Sequence, residues 1–260
     1  MLRFLWLSVL VIACGSSPLS AKLITQTVAY EHDGVALEGY LAYDDAVAGK
    51  RPGVLVVHQW LGLSDNERMR AELLARMGYV AFAADVFGRG VRPADSAAAG
   101  TEAGKYYADR ALFRGRLAAG LAQLAGHALV DPERLAAIGY CFGGSGALEL
   151  ARSGAALAGV VSFHGGLATP NPGDAANIRG KVLVCHGAMD PYVKPEEVRG
   201  FIDAMEAAGA DYQLIMYAGA VHSFTQKGAG DDPSRGAAYN AAADARSWRH
   251  MQDFFAEIFQ

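Results

Sequence analysis

Three short stretches carry residue types that attack carbonyl groups. Gly139-Tyr140-Cys141-Phe142-Gly143-Gly144 sets a cysteine among glycines, after an apolar strand-like run and before a helix-like one. This is the G-x-S-x-G nucleophile elbow with cysteine in place of serine. A sharp strand-to-helix turn strains the backbone at the nucleophile, and bulky neighbours would clash there, hence the glycines. The following helix aims free N–H groups and its positive dipole end at the site, which favours a thiolate or an oxyanion. The Phe142 N–H is then one oxyanion donor; the second is expected at the N–H of Trp60, after the strand-like run 53–58. Cys185-His186-Gly187-Ala188-Met189-Asp190-Pro191 places an acid just past another such run, and Ala220-Val221-His222-Ser223-Phe224 places a histidine past the next.

Each residue alone has an ordinary reading. A lone cysteine is usually a small buried hydrophobe, an aspartate before proline a turn former, and a histidine a satisfied polar group. Together, the order nucleophile, acid, histidine is that of the α/β-hydrolase fold. The expected triad is Cys141, His222 and Asp190: Asp190 orients His222, which takes the proton of Cys141. Trp60, Phe87 and Tyr140 are candidate pocket walls. His58, His164 and His186 also end strand-like runs, but no H-x-x-H or C-x-x-C spacing accompanies them, so neither metal nor cofactor is expected.

The elements that must hold these residues alternate along the chain. Runs 23–31 and 35–43 read as strands joined by His32-Asp33-Gly34, where Asp-Gly signals a hairpin. Run 53–58 is β-branched and apolar like a central parallel strand. Ser64-Asp65-Asn66-Glu67 is a capping box opening a helix with Met69, Leu73, Leu74 and Met77 as its apolar face, closed by Gly78. Further strands are expected at 79–85, 135–140 (after the Asp131-Pro132 turn), 157–163, 181–185 and 212–217. Helices are expected at 106–126, from Gly144, at 195–209 and at 237–259; segment 165–180 reads as a loop, and 88–104, rich in alanine and glycine, has no clear pattern. A hairpin followed by repeated β-α units implies a mostly parallel sheet of about eight strands, with helices on both faces and no large lid domain.

The amino terminus is read apart. Residues 1–21 combine Arg3, an apolar run over 4–13 and a small residue at Ala21, which together read as a signal peptide and imply export, to the periplasm or outside. Val11-Ile12-Ala13-Cys14 offers a lipobox instead, which would anchor the chain by a lipid on Cys14. The apolar run is shorter than the roughly 20 residues a membrane span needs, so no span is expected. Residues 22–260 then form one α/β-hydrolase domain. A net charge of −4, with no basic run, gives no footprint for nucleic acid. Export raises the possibility of a Cys141–Cys185 bridge. If strand 157–163 lies between them, they stand roughly 9–10 Å apart, beyond the roughly 7 Å a disulfide spans, and Cys185 is a buried thiol.

The Gly139–Gly144 elbow, the His186-Gly187…Asp190-Pro191 loop and Val221-His222-Ser223-Phe224 resemble the dienelactone hydrolase family, over residues from about 30 to 259. The resemblance implies a cofactor-free hydrolase that opens a small lactone or cleaves a related ester through a covalent thioester. Two positions depart from the family pattern. A glutamate that contacts the resting thiol is replaced by Gln59, which can accept from the thiol but cannot take its proton. Of two arginines for a substrate carboxylate, Arg89 matches the first, whereas Gln226, beside Lys227, stands at the second; glutamine does not reproduce a bidentate clamp. A redox-sensing or ligand-binding protein on the same fold is the alternative reading.

Overall fold

The computed structural model describes residues 22–260, so the expected signal peptide and the Cys14 lipobox lie outside the described residues. The chain opens with an antiparallel hairpin, β1 (Leu23–His32) and β2 (Val35–Asp44). Asp33 and Gly34 both take positive φ, 49° and 72°, the conformation a two-residue hairpin turn with the right twist requires. Then come β3 (Arg51–Val57), α1 (Asp65–Arg76), β4 (Val80–Ala84), α2 (Ser96–Ala108) and α3 (Arg110–Ala125). The second half is β5 (Val130–Tyr140), α4 (Phe142–Arg152), β6 (Gly159–Phe163), β7 (Lys181–Gly187), α5 (Pro195–Ala208), β8 (Tyr212–Tyr217) and α6 (Ala241–Ile258).

The eight strands form one sheet in the order β1-β2-β4-β3-β5-β6-β7-β8. From β4 to β8 every pairing is parallel; β1 and β2 join antiparallel at one edge. Val54 to Val57 on β3 are wholly buried, as a strand covered on both faces must be. One face packs on α3, α4 and α5 through Phe113, Leu117, Leu148 and Phe201. The other packs on α1 and α6 through Leu74, Met251, Phe254 and Phe255. Parallel strands all end at one edge, and the triad candidates follow β5, β7 and β8 there.

Several expected elements differ in detail. The helix expected over 106–126 is two: Asp109, in extended conformation, ends α2 and caps α3 by accepting from the Leu112 N–H. The unassigned stretch holds most of α2, started by Asp95, which accepts from the Ala98 N–H. Asp131 and Pro132 lie inside β5, where the register to β3 jumps from Pro52↔Asp131 to Gly53↔Leu135. The loop after β6 contains a 3-10 turn at Pro172–Asn177, and α6 begins at Ala241, capped by Asn240. The apolar face of α1 is also corrected. Met69 and Leu73 are exposed, at 41% and 37%, while Glu67 and Arg70 are buried beside Ala71, Leu74 and Ala75. Binary patterning fails here because both charges find partners inside: Arg70 reaches Asp244 and the Thr225 carbonyl, and Glu67 closes the capping box. Losing that cap, by Ser64→Ala, is expected to cost about 1 kcal/mol in a denaturant titration.

Candidate active site

Cys141 sits between β5 and α4 with φ 55° and ψ −117°, a region that side-chain-bearing residues rarely occupy. The strain is held by close backbone packing. A Cβ on Gly139 would overlap the Gly143 carbonyl, and one on Gly143 would overlap the carbonyls of Val57 and His58. The elbow therefore lies directly against the end of β3, which only glycine permits. Phe142 is the first residue of α4, where an N–H has no partner within its own helix.

His222 Nε2 lies 3.0 Å from Cys141 Sγ, and its Nδ1 lies 2.8 Å from Asp190 Oδ2. Asp190 is 7% exposed and its second oxygen accepts from the Tyr192 N–H at 2.9 Å, which fixes the carboxylate plane. The histidine loop is tied down in turn: His222 N–H donates to the Gly236 carbonyl, and Ala238 N–H to the His222 carbonyl. Because Asp190 accepts the hydrogen bond from Nδ1–H, Nε2 is the nitrogen that exchanges a proton with sulfur. Burial pushes the imidazolium down, but the Cys141 charge and the Asp190 carboxylate outweigh it and lift His222 to about 10. The histidine thus holds a proton through neutral pH.

A cleft of about 780 Å³ opens over this group, large enough for a small organic substrate. Trp60, Tyr107 and Tyr192 supply aromatic walls, and Gln226 and Arg235 polar ones. Trp60, in the loop after β3, is thus part of the cleft lining. Phe87 and Tyr140, the other expected walls, belong to the core: Phe87 packs against His58, and Tyr140 stacks on Phe163 beneath the Arg70 guanidinium. Gln59 and Arg89 are also absent from the cleft lining. Gln59 is buried with its amide donating to Glu67 at 3.3 Å, and Arg89 is half exposed with its Nε 3.8 Å from Glu38. Tyr107 and Arg235 were missed as cleft residues; Tyr107 lies near the end of α2, inside the stretch expected to be helical, and Arg235 in a 3-10 turn at Pro233–Arg235.

Cys185 lies on β7, with β6 between it and β5, and it is a free, fully buried thiol. Burial raises its pKa to about 12, against a lowering contribution from the Tyr217 hydroxyl. Among the described residues no group of three or more His, Cys, Asp and Glu is placed to hold a metal, and no helix is long and apolar enough to cross a membrane.

The model of the dienelactone hydrolase family matches residues 37–259 of this chain. The chain belongs to the dienelactone hydrolase family. A putative carboxymethylenebutenolidase of Synechocystis is 26% identical over 254 residues, 91% of this chain and 98% of that protein. Among solved structures, one titled m3DLH is 41% identical with a TM-score of 0.89, covering 92% of this chain and 99% of that one. A dienelactone hydrolase-like promiscuous phosphotriesterase from metagenomic libraries is 40% identical with a TM-score of 0.86, at the same coverage. The chain is thus a dienelactone hydrolase-like hydrolase on a mixed, mostly parallel α/β sheet. Its position 226 is a glutamine on the cleft wall, and among the described residues Arg235 is the one arginine or lysine that lines the cleft.

Proposed function

We propose that this dienelactone hydrolase family member cleaves a small carboxylic ester or lactone through a thioester on Cys141. The observation that carries the reading is the continuous contact from Asp190 through His222 to the Cys141 sulfur at the mouth of the cleft. His222 holds the proton it has taken from the thiol, and the resulting Cys141 thiolate adds to the carbonyl carbon. The oxyanion is received by the Phe142 and Trp60 N–H groups. As the tetrahedral adduct collapses, the C–O bond breaks and His222 returns the proton to the leaving alkoxide. His222 then takes a proton from water, whose oxygen attacks the thioester; the C–S bond breaks, the acid leaves, and the Cys141 sulfur departs as the thiolate paired with protonated His222.

A purified-protein screen of p-nitrophenyl acetate, butyrate and octanoate against a dienelactone tests this, with and without reductant. With Arg89 outside the cleft lining and glutamine at 226, an uncharged short ester is expected to be turned over at least as well as the carboxylated lactone. A phosphotriester belongs in the same screen, since a relative 40% identical is titled a promiscuous phosphotriesterase. Absence of all turnover in the reduced enzyme, together with a reversible Cys141 sulfenate, would replace the reading with redox sensing.

The acid–base partner has its own signature. Rate is expected to fall above about pH 10, where His222 loses the proton that the leaving group needs. Asp190→Asn removes one source of that upward shift, so the alkaline limb moves to lower pH and kcat falls by on the order of 10³-fold or more. A pH–rate profile of the two proteins checks both. Export by cleavage after residue 21 remains our proposal for the amino terminus; mass spectrometry of the mature protein separates it from lipidation at Cys14.

A further inference from the structure

His164 follows β6 and takes a φ of 40°, a strained value for a residue with a side chain. Its ring is wholly buried, yet both nitrogens are engaged. The Cys141 backbone N–H, shared with the Phe163 carbonyl at 3.0 Å, points at His164 Nδ1 from 3.2 Å. An N–H can only donate, so Nδ1 accepts, Nε2 carries the hydrogen, and it donates to Thr225 Oγ1 at 2.8 Å. Thr225 lies three residues beyond His222, and its carbonyl accepts from Arg70, which is itself bound to Asp244. The His164 ring also meets the His222 ring edge-to-face at 5.2 Å. One imidazole therefore touches the nucleophile's own peptide, the ring of the expected base, and the loop that carries that base.

We propose that His164 is a positioning residue, a neutral strut that sets the spacing between the Cys141 elbow and the His222 loop. The proposal rests on the Cys141–His222 chemistry argued above. An apolar filler would occupy the volume but leave the Cys141 N–H with a single acceptor and the 222–225 loop without its tie to the elbow. Burial, reinforced by the adjacent His222, holds His164 well below the usual histidine range, so it stays neutral while His222 cycles its proton. Arg70 and His186 also disfavour a positive charge there.

The test compares His164→Phe, His164→Gln and Thr225→Val in the otherwise unchanged protein. His164→Phe is expected to lower kcat for p-nitrophenyl acetate by about 10- to 100-fold with KM within about twofold, since a misplacement of about 1 Å costs that much. Its alkaline limb should move to lower pH, and alkylation of Cys141 by iodoacetamide at pH 7 should slow about tenfold. Thr225→Val should share the direction of each change, and His164→Gln, which can still accept and donate, should recover most of the loss. An unchanged pH profile and alkylation rate in folded His164→Phe or Thr225→Val would overturn the proposal, whatever happens to thermal stability. Alkylation does not require turnover. A wild type without ester activity would therefore remove the hydrolase reading while the alkylation comparison still decides the role of His164.

Discussion

Cys141→Ala is expected to abolish ester turnover, lowering kcat by about 10⁴-fold or more, with folding intact. The argument is chemical before it is structural. Without sulfur no thioester forms, and the remaining groups, His222, the two proposed N–H donors and the cleft, can only assist water. The substitution is also mild for the fold. Cys141 is partly exposed, and its side chain makes one polar contact, to His222. Circular dichroism and a denaturation curve matching wild type, beside an assay showing background rates, would establish the cysteine as nucleophile. Residual turnover that survives repurification would remove it from that role.

Gly143→Ala is expected to be severely damaging although it adds a single methyl group beside the site. Its Cβ would overlap the backbone of Val57 and His58, and no side chain stands there to swing aside. Either β3 or the start of α4 must move. Overpacking of a well-packed interior usually costs about 1–3 kcal/mol, and backbone-against-backbone contact places this change at or above the upper end. Whatever variant protein folds should also lose activity, because Phe142, the expected oxyanion donor, immediately precedes Gly143. A urea titration with a parallel kcat measurement checks the two effects. A wild-type midpoint would mean that the elbow and β3 are less tightly joined than the geometry states.

The meeting of Cys141, His222 and Asp190 was legible because each of these triad candidates sits where a short local pattern announces it. Cys141 stands among glycines after a strand, Asp190 before a proline after a strand, and His222 beyond the last strand, and parallel strands bring such ends to one edge. The eight-strand sheet followed from the same alternation of β-branched runs and capped helices. What stayed hidden depends on partners far along the chain. Gln59 was expected beside the thiol, but it is buried with its amide N–H directed at the inward-turned Glu67. Met69 and Leu73 looked like core until Arg70 found Asp244, 174 residues away. Tyr107 arrives on an alanine- and glycine-rich helix whose clearest sequence sign is the Asp95 cap. Local rules see caps, turns and periods; they do not see which buried charge will be matched.

The separation of the two thiols by β6 has a practical consequence. Cys141 opens onto the cleft, whereas Cys185 is sealed within the sheet and protonated at ordinary pH. A small thiol reagent therefore meets them on different timescales: one at the rate of simple collision and ionisation, the other only when β7 is exposed by unfolding. Following the slow modification gives the opening rate of the central sheet directly, without an engineered probe, in the same sample whose fast modification titrates intact active sites.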